Sequence, residues 1–144
     1  MTVLFRPIIE TMTEITDIME TNVVAVDRGT PILDAIKTLV QRNFTGLPVV
    51  DKKNHVVGII TEKDVLALAL SIHNKTYDSA ATTAKVEDFM TTDVITVDVN
   101  ESLKQLCTSL MKHPFRRIPI VEKQKLVGIV SRKDIIAYIM HIKG

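Results

Sequence analysis

Cysteine and aromatic side chains are scarce in this chain of 144 residues. Cys107 is its one cysteine, which excludes an internal disulfide and a zinc site built on paired cysteines. Tryptophan is absent and aromatic residues make up 4% of the chain, too few for platforms on which single-stranded nucleic acid stacks. The four histidines lack the spacing of metal ligands. We therefore expect no metal site and no disulfide framework.

Long apolar runs and net charge are also lacking. No run approaches the roughly 18 residues that cross a bilayer, and the opening MTVLFRPIIE shows no basic start with an unbroken apolar stretch, so no export signal is predicted. With 46% apolar residues and a net charge of +1, the chain resembles neither a disordered segment nor a protein held on nucleic acid by bulk charge. We expect a cytoplasmic protein with no membrane or nucleic-acid partner.

The small charge excess is unevenly distributed. Residues 1–72 carry 7 basic and 9 acidic side chains, whereas residues 73–144 carry 11 and 8. Part of the excess is local, around Arg116, Arg117, Arg132 and Lys133. A clustered basic corner fits a small phosphorylated ligand better than a duplex.

An internal repeat is the most informative feature of the sequence. The segment from Ile18 to Val50 matches the segment from Phe89 to Val121 at a constant offset of 71, and the offset becomes 70 where Gly58 recurs as Gly128. Each copy has about 55 residues, too few for a robust core of its own, so the copies should pack together. The repeat predicts a first unit at 1–72, a linker at 73–85 and a second unit at 86–144. The match of residues 13–19 to 84–90 predicts a short lead-in helix before each unit.

The hydrophobic periodicity predicts the order β-α-β-β-α in each copy, an α/β fold. Thr30 with Pro31, and Asn100, are predicted to cap the first helix of each copy. The predicted elements are strands at 23–26, 47–50 and 56–60 and helices from Ile32 and Thr61, repeated as strands at 94–97, 118–121 and 126–130 and helices from Leu103 and Ser131.

Each copy starts its last helix with a hydroxyl residue, a lysine and an aspartate. These are Thr61, Lys63 and Asp64 in the first copy and Ser131, Lys133 and Asp134 in the second. A helix N-terminus presents backbone N–H groups that attract phosphate, lysine adds positive charge, and an ionised aspartate has two acceptor oxygens that match the paired hydroxyls of ribose. The combination predicts a nucleoside phosphate site.

The same spacing has a purely structural interpretation. Ser/Thr-x-x-Asp at a helix start also forms a capping box, in which the two side chains satisfy only backbone donors. Capping boxes favour Glu or Gln at the third position, which weakens this alternative slightly but leaves it open.

The repeat, the starts Asp17-Ile18-Met19 and Asp88-Phe89-Met90, the prolines Pro48 and Pro119, and the two Gly-x-x-Ser/Thr-x-x-Asp endings resemble the cystathionine-β-synthase (CBS) domain family. The paired form of this domain is called a Bateman module, and the resemblance covers residues from about 13 to 141. It implies two β-α-β-β-α units packed about a pseudo-twofold axis, with two clefts that bind adenine nucleotides.

The resemblance also implies the residues of the clefts. Adenine would lie against backbone at Val23, Val24, Leu47 and Pro48 in one copy and at Val94, Ile95, Ile118 and Pro119 in the other. Asp64 and Asp134 would bind ribose, with Thr61 and Ser131 beside the sugar or phosphate. Basic residues before the proline strand often face phosphate in this family; this position holds Arg116-Arg117 in the second copy but Thr45-Gly46 in the first.

This difference predicts two unequal clefts, because arginine makes charge-assisted and often bidentate contacts with phosphate. The stronger phosphate site would use Arg116, Arg117 and Lys133, and the other would rely on Lys63 and helix-end N–H groups.

No nucleophile elbow, P-loop or dinucleotide-binding glycine motif is found, so we predict a regulatory module and not an enzyme. The expected ligand is AMP, ADP or ATP, with no required cofactor, and the regulated protein would be separate. The resemblance further implies a homodimer through the helices that carry Val65-Leu66-Leu68 and Ile135-Ile136-Ile139. The alternative is a ligand-free structural or interaction module.

Overall fold

The computed structural model describes residues 14–73 and 83–140. The segment 1–12 and most of the predicted linker at 73–85 lie outside the described residues.

The order β-α-β-β-α occurs twice, which confirms the predicted α/β fold. A short 3-10 helix precedes each copy, as the repeat of the lead-in segment predicted. In chain order the elements are η1 (Ile15–Asp17), β1 (Val26–Asp27), α1 (Ile32–Arg42), β2 (Gly46–Val50), β3 (Val56–Thr61), α2 (Glu62–His73), η2 (Val86–Asp88), β4 (Val97–Asp98), α3 (Leu103–Lys112), β5 (Arg117–Glu122), β6 (Lys125–Ser131) and α4 (Arg132–Ile139).

The chain divides into two compact units, and each lead-in belongs to the unit that holds the other copy's sheet. Of the described residues, 24–73 and 83–94 form one unit, which we call the continuous unit. Residues 14–23 and 95–140 form the other, which we call the split unit.

The core of the continuous unit lies between a three-stranded sheet and two helices. β1 pairs in parallel with β2, which pairs antiparallel with β3. Val86 of η2 is fully buried in this core. Its backbone N–H donates to the carbonyl of Thr30 at 2.8 Å, so the lead-in is held by both hydrogen bonds and burial. The buried residues of this core are Ile32, Ala35, Leu39, Leu47, Val49, Ile60, Leu68, Ala84 and Val86.

The split unit repeats this arrangement with β4, β5 and β6 and with η1 in the place of η2. Ile15 and Ile18 of the lead-in are buried beside Ile118, Ile120 and other apolar side chains of the sheet and helices. Burying a large aliphatic side chain contributes about 1.5–3 kcal/mol, so these two residues alone stabilise the position of the lead-in substantially.

The first strand of each copy is shorter than predicted, and proline gives the reason. Residues 23–25 and 94–96 are not in strands; pairing begins at Val26 opposite Val49 and at Val97 opposite Ile120. The preceding residues of the partner strands are Pro48 and Pro119, which have no N–H to continue the ladder in that direction. The chain beside each proline therefore lacks strand pairing.

The first helices are also capped differently from the prediction. Ser102, and not Asn100, caps α3 by accepting a hydrogen bond from the amide of Gln105 at 3.0 Å. α1 has Pro31 at its N-cap, with no side-chain cap bond. Asn100 instead belongs to the turn that follows β4, where its amide donates to Asp98 at 2.9 Å.

Candidate functional site

The start of α2 in the continuous unit holds Asp64 in a dense set of hydrogen bonds. Its Oδ2 accepts from the amide of Thr61 at 2.8 Å and from the Thr61 hydroxyl at 2.9 Å. The hydroxyl of Thr91, from the segment after η2, donates to Oδ1 at 3.0 Å and approaches Oδ2 at 3.3 Å. Thr91 is fixed by two backbone hydrogen bonds with Ile59 of β3, at 2.8 and 2.9 Å. Both oxygens of Asp64 therefore have protein donors.

The start of α4 in the split unit has the same backbone plan and fewer side-chain bonds. Oδ2 of Asp134 accepts from the amide of Ser131 at 2.8 Å, and the Ser131 hydroxyl accepts from the amide of Asp134 at 3.2 Å. Glu20 takes the place of Thr91, since it makes the equivalent backbone bonds with Ile129 at 2.9 and 3.0 Å. The Glu20 carboxylate accepts from the amide of Asn22 at 2.8 Å. Across residues 14–73 and 83–140, no donor reaches Oδ1 of Asp134.

Both helix starts thus have capping-box geometry, the structural alternative that the sequence left open. Capping and ligand binding do not exclude one another, because an ionised carboxylate has about four lone-pair sites. Asp134 uses one of them within its capping box. Asp64 accepts from three donors, which are the Thr61 amide and the hydroxyls of Thr61 and Thr91.

Several first-turn amides that the sequence suggested for phosphate are already bonded. The amide of Glu62 donates to the carbonyl of Thr45 at 3.1 Å, and the amide of Arg132 donates to that of Arg116 at the same distance. The amides of Asp64 and Asp134 are used in the capping boxes. These four amides are therefore not free for a phosphate, unlike the helix-end N–H groups that the sequence prediction assumed.

The basic side chains of the split unit lie close to its helix start. Arg117 is half-buried and pairs in register with Ser131 across β5 and β6, whereas the equivalent pair in the continuous unit is Gly46 with Thr61. Arg116 is exposed one residue earlier, and Lys63 and Lys133 are exposed on their helices. The structure thus places Arg117 opposite Ser131 with Arg116 next to it in sequence, and the equivalent positions of the continuous unit hold Thr45 and Gly46.

Arg132 has a structural contact instead. Its guanidinium donates to the carbonyls of Leu110 at 3.1 Å and His113 at 3.3 Å, at the C-terminal end of α3. In the continuous unit, α1 ends at Asn43 in the left-handed conformation, whose amide bonds the last carbonyls. After α3 the chain continues in extended form as His113-Pro114 and has no left-handed residue like Asn43. The Arg132 side chain therefore bonds the carbonyls at this helix end.

The predicted adenine-contacting segments are placed unevenly. Leu47, Pro48, Ile118 and Pro119 are buried, backbone included, so the structure does not expose these four residues to a ligand. Val23, Val24, Val94 and Ile95 are half-buried. The boundaries of the two units fall between Val23 and Val24 and between Val94 and Ile95, so each pair contributes one residue to each unit.

Each unit has an apolar groove between its two helices. In the continuous unit the groove lies between α1 and α2, beside Val40 and Leu66; in the split unit it lies between α3 and α4, beside Met111 and Ile136. These four side chains are between 58% and 85% exposed. Leu68 and Ile135, which the sequence assigned to a dimer interface, are instead 3% and 9% exposed, because they point into the cores of their own units.

Cys107 lines the groove of the split unit. Burial raises the pKa of its thiol above the ordinary value, which disfavours the reactive thiolate. Within residues 14–73 and 83–140, no group of histidine, cysteine and carboxylate side chains is arranged to hold a metal ion. No helix in the described part of the chain has the length and hydropathy required to cross a membrane.

Comparison with known proteins assigns this arrangement to a family. A family model for the CBS domain matches residues 15–71 and 86–141. The chain belongs to the CBS domain family and carries two copies of the domain in tandem, as the motifs indicated.

Individual relatives agree with this assignment. Over 120 residues, or 83% of this chain, the sequence is 33% identical to MJ1225, an uncharacterised protein of Methanocaldococcus jannaschii, and it spans 40% of the length of that protein. The crystal structure of CBSX2 in complex with AMP matches with a TM-score of 0.76 and 31% identity over 91% of this chain and 98% of that one. The CBS domain pair of MJ0100, in complex with 5′-methylthioadenosine and S-adenosyl-L-methionine, matches with a TM-score of 0.71 and 27% identity, covering 92% of this chain and 99% of that one.

Sequence reasoning missed the contact of Thr91 with Asp64 and the capping role of Arg132. The sequence does show one difference that bears on the Thr91 contact. Thr91 aligns with Glu20 in the repeat, so one copy has a hydroxyl donor where the other has a carboxylate acceptor. Nothing in the sequence indicated that the segment bearing Thr91 would contact Asp64, 27 residues earlier.

Proposed function

We propose that this CBS pair is a non-enzymatic regulatory module that binds an adenosine-containing ligand, with AMP, ADP and ATP as the first candidates. The observation that carries the proposal is the helix start of the split unit, where Oδ1 of Asp134 has no donor within the described residues and Arg117 lies across from Ser131. An acceptor for ribose hydroxyls and a cation for phosphate thus stand on adjacent strands and one helix. The AMP complex of CBSX2 and the adenosine-derived ligands of the MJ0100 pair support this ligand class.

We assign roles as follows. Asp134 accepts ribose hydroxyls, Ser131 binds beside the sugar or phosphate, and Arg116, Arg117 and Lys133 neutralise phosphate. For the continuous unit, the resemblance implies the same roles for Asp64, Thr61 and Lys63, with less positive charge. The resemblance assigns adenine to the backbone of Val23, Val24, Leu47, Pro48, Val94, Ile95, Ile118 and Pro119. The four of these residues that lie in β2 and β5 would have to become exposed for such contact.

Titration calorimetry with AMP, ADP and ATP tests these roles. Replacing Asp134 with Ala should lower the affinity for all three nucleotides. Replacing Arg116 and Arg117 together with Ala should lower the affinity for ATP more than that for adenosine, because adenosine carries no phosphate. Lys125→Ala is the matched control, since it removes one positive charge at the far end of the β5–β6 hairpin. Equal affinities for wild type and both site variants would refute the assignment.

We further propose a homodimer formed through the exposed groove side chains Val40, Leu66, Met111 and Ile136. Exposed apolar patches of this kind favour association. Leu66→Glu should shift the molar mass measured by light scattering towards the monomer, whereas Lys37→Glu, on the helix beside it, should not. A wild-type chain that stays monomeric at high concentration would refute the dimer.

Ligand binding would regulate a separate protein or the dimer itself, and it requires no cofactor. A ligand shifts such an equilibrium only by its differential affinity for two states. We expect the module to act in the cytoplasm.

A second function, a ligand-free interaction module, is favoured by the complete capping boxes at both helix starts. Thermal unfolding separates the two proposals. Millimolar AMP or ATP should raise the unfolding temperature if the folded state binds the nucleotide, because binding stabilises the folded state by mass action. An unchanged unfolding temperature with every adenosine compound would favour the interaction module.

A further inference from the structure

The two aspartates of the repeat differ in how many of their lone pairs the protein itself occupies. Asp64 accepts from two hydroxyls and one amide, and the Thr91 hydroxyl is the donor that reaches its outer oxygen, Oδ1, at 3.0 Å. Asp134 accepts from one amide, through Oδ2. A pair of ribose hydroxyls donates two hydrogen bonds and needs two vacant acceptor positions.

Thr91, whose hydroxyl donates to Asp64, is itself held in place by hydrogen bonds. Thr91 is half-buried, and its backbone is bonded in both directions to Ile59 on β3, the strand that leads into Thr61. The backbone hydrogen bonds with β3 therefore hold the Thr91 hydroxyl beside Asp64. To bind a ribose as the resemblance implies, the continuous unit would have to break or share this bond.

The split unit has the same backbone bridge and the opposite side-chain chemistry. Glu20 occupies the position of Thr91, is bonded in both directions to Ile129 and has an exposed side chain. An ionised glutamate only accepts hydrogen bonds, so it does not occupy a lone pair of Asp134. The repeat therefore differs at a position from which the Thr91 side chain reaches the motif aspartate of the continuous unit.

We propose that Thr91 is a specificity-determining residue that blocks ribose binding at Asp64, so that the chain binds one adenosine-containing ligand, at Asp134. This inference rests on the proposed function and adds its stoichiometry and the residue that sets it. The determinant is distinct from the arginine pair, because it acts on the sugar and not on the phosphate.

Titration calorimetry of the full chain with AMP and with 2′,3′-dideoxy-AMP tests the proposal. We expect the wild type to bind one AMP per chain and to prefer AMP to the dideoxy compound, and we expect Asp134→Ala to remove that binding. Thr91→Val has nearly the same shape and no hydroxyl. In the Asp134→Ala background, adding Thr91→Val should open a site for AMP at Asp64. The affinity of this double variant for AMP should be about tenfold higher than that of Asp134→Ala alone, because hydrogen bonds to a charged acceptor are strong enough to change affinity by that factor.

Two further variants and one control sharpen the result. Thr91→Ser keeps the hydroxyl donor and should behave as Thr91 does. Glu20→Thr places a hydroxyl at the equivalent position in the split unit and should weaken AMP there by about tenfold with little effect on the dideoxy compound. Circular dichroism melting of each variant confirms that the fold is retained.

The outcomes distinguish the role of Thr91 from the proposed function itself. Binding of AMP by the wild type with an unchanged Asp134→Ala, Thr91→Val double variant would overturn the role of Thr91 and leave the proposed function intact. Two equal AMP sites in the wild type would also overturn it. Absence of binding in every variant would overturn the proposed function and this inference together.

Discussion

Gly58 and Gly128 lie where each lead-in segment contacts the sheet of its unit, and replacing either with alanine tests that packing. A Cβ atom at Gly58 would stand 2.5 Å from Sδ of Met90, 3.0 Å from its Cγ and 3.0 Å from the carbonyl oxygen of Thr91. At Gly128 the corresponding distances are 2.5 Å and 3.0 Å to Met19 and 3.2 Å to the carbonyl of Glu20. These distances are too short for an unchanged backbone and side chain, so the methionine must move.

The expected cost follows from this geometry. Overpacking of a well-packed site typically costs about 1–3 kcal/mol. For a chain of this size, each kcal/mol lowers the unfolding temperature by about 3 °C. The methionine side chain is flexible, but the carbonyl of Thr91 is fixed by its backbone bonds with Ile59, so we expect Gly58→Ala to fall within this range and not below it.

Chemical denaturation followed by circular dichroism measures the loss for each variant. Gly29→Ala is the control, because its Cβ would meet only a flexible carboxylate oxygen of Asp27 at 3.3 Å, and we expect a change within about 0.5 kcal/mol. Combining Gly58→Ala with Met90→Ala should cost less than the sum of the two single variants, since the smaller side chain makes room. A Gly58→Ala chain as stable as the wild type, or strictly additive losses, would refute the predicted contact.

Three other predictions concern a helix end, a turn and the thiol. Arg132→Ala should lower the free energy of unfolding by about 1 kcal/mol, because it removes the donor to the carbonyl of Leu110, whereas Glu62→Ala at the equivalent position should change it less. The backbone N–H of His55 donates to Asp51 and lowers the pKa of its carboxyl group. The ionised carboxylate therefore stabilises the fold fully above the unfolded-state pKa, and this contribution is lost as pH falls through the lower folded-state pKa. In acid titrations, the stability difference between wild type and Asp51→Ala should shrink below about pH 4. Cys107 should react with a disulfide reagent at least about tenfold more slowly in the folded than in the unfolded chain, because burial raises its pKa.

Each of these has an outcome that would contradict it. Equal losses for the two helix-start variants would show that the guanidinium contact contributes nothing. A pH-independent stability difference would exclude the carboxylate of Asp51 as the responsible group, and equal labelling rates would show that the groove does not shield the thiol.

Most of the fold could be predicted because two copies of a repeated sequence encode it. A hydrophobic position that recurs after 71 residues is supported by two independent segments, so the order of strands and helices followed directly. The boundaries that failed, at residues 23–25 and 94–96, depend on Pro48 and Pro119 in other strands. Propensity along one strand does not include the hydrogen-bonding capacity of its partner.

The site was predictable in its residue types and not in its hydrogen bonds. The spacing of Ser131 and Asp134 correctly indicated a helix start, and it could not show whether the carboxylate oxygens are occupied. The decisive contact at the other copy comes from Thr91, whose place beside Asp64 depends on its pairing with Ile59. A pairing between segments distant in sequence is a tertiary property.

Duplication makes the differences between the copies more informative than their similarities. The shared residues, such as the glycines that contact Met19 and Met90 and the capping aspartates, are those that either copy needs in order to fold. Positions at which one copy has a charged side chain and the other does not are free of that requirement. Arg117 against Gly46 and Glu20 against Thr91 are two such positions, and both lie beside the same helix start. We propose that both differences favour ligand binding at Asp134, because a cap functions equally well with either residue at each position.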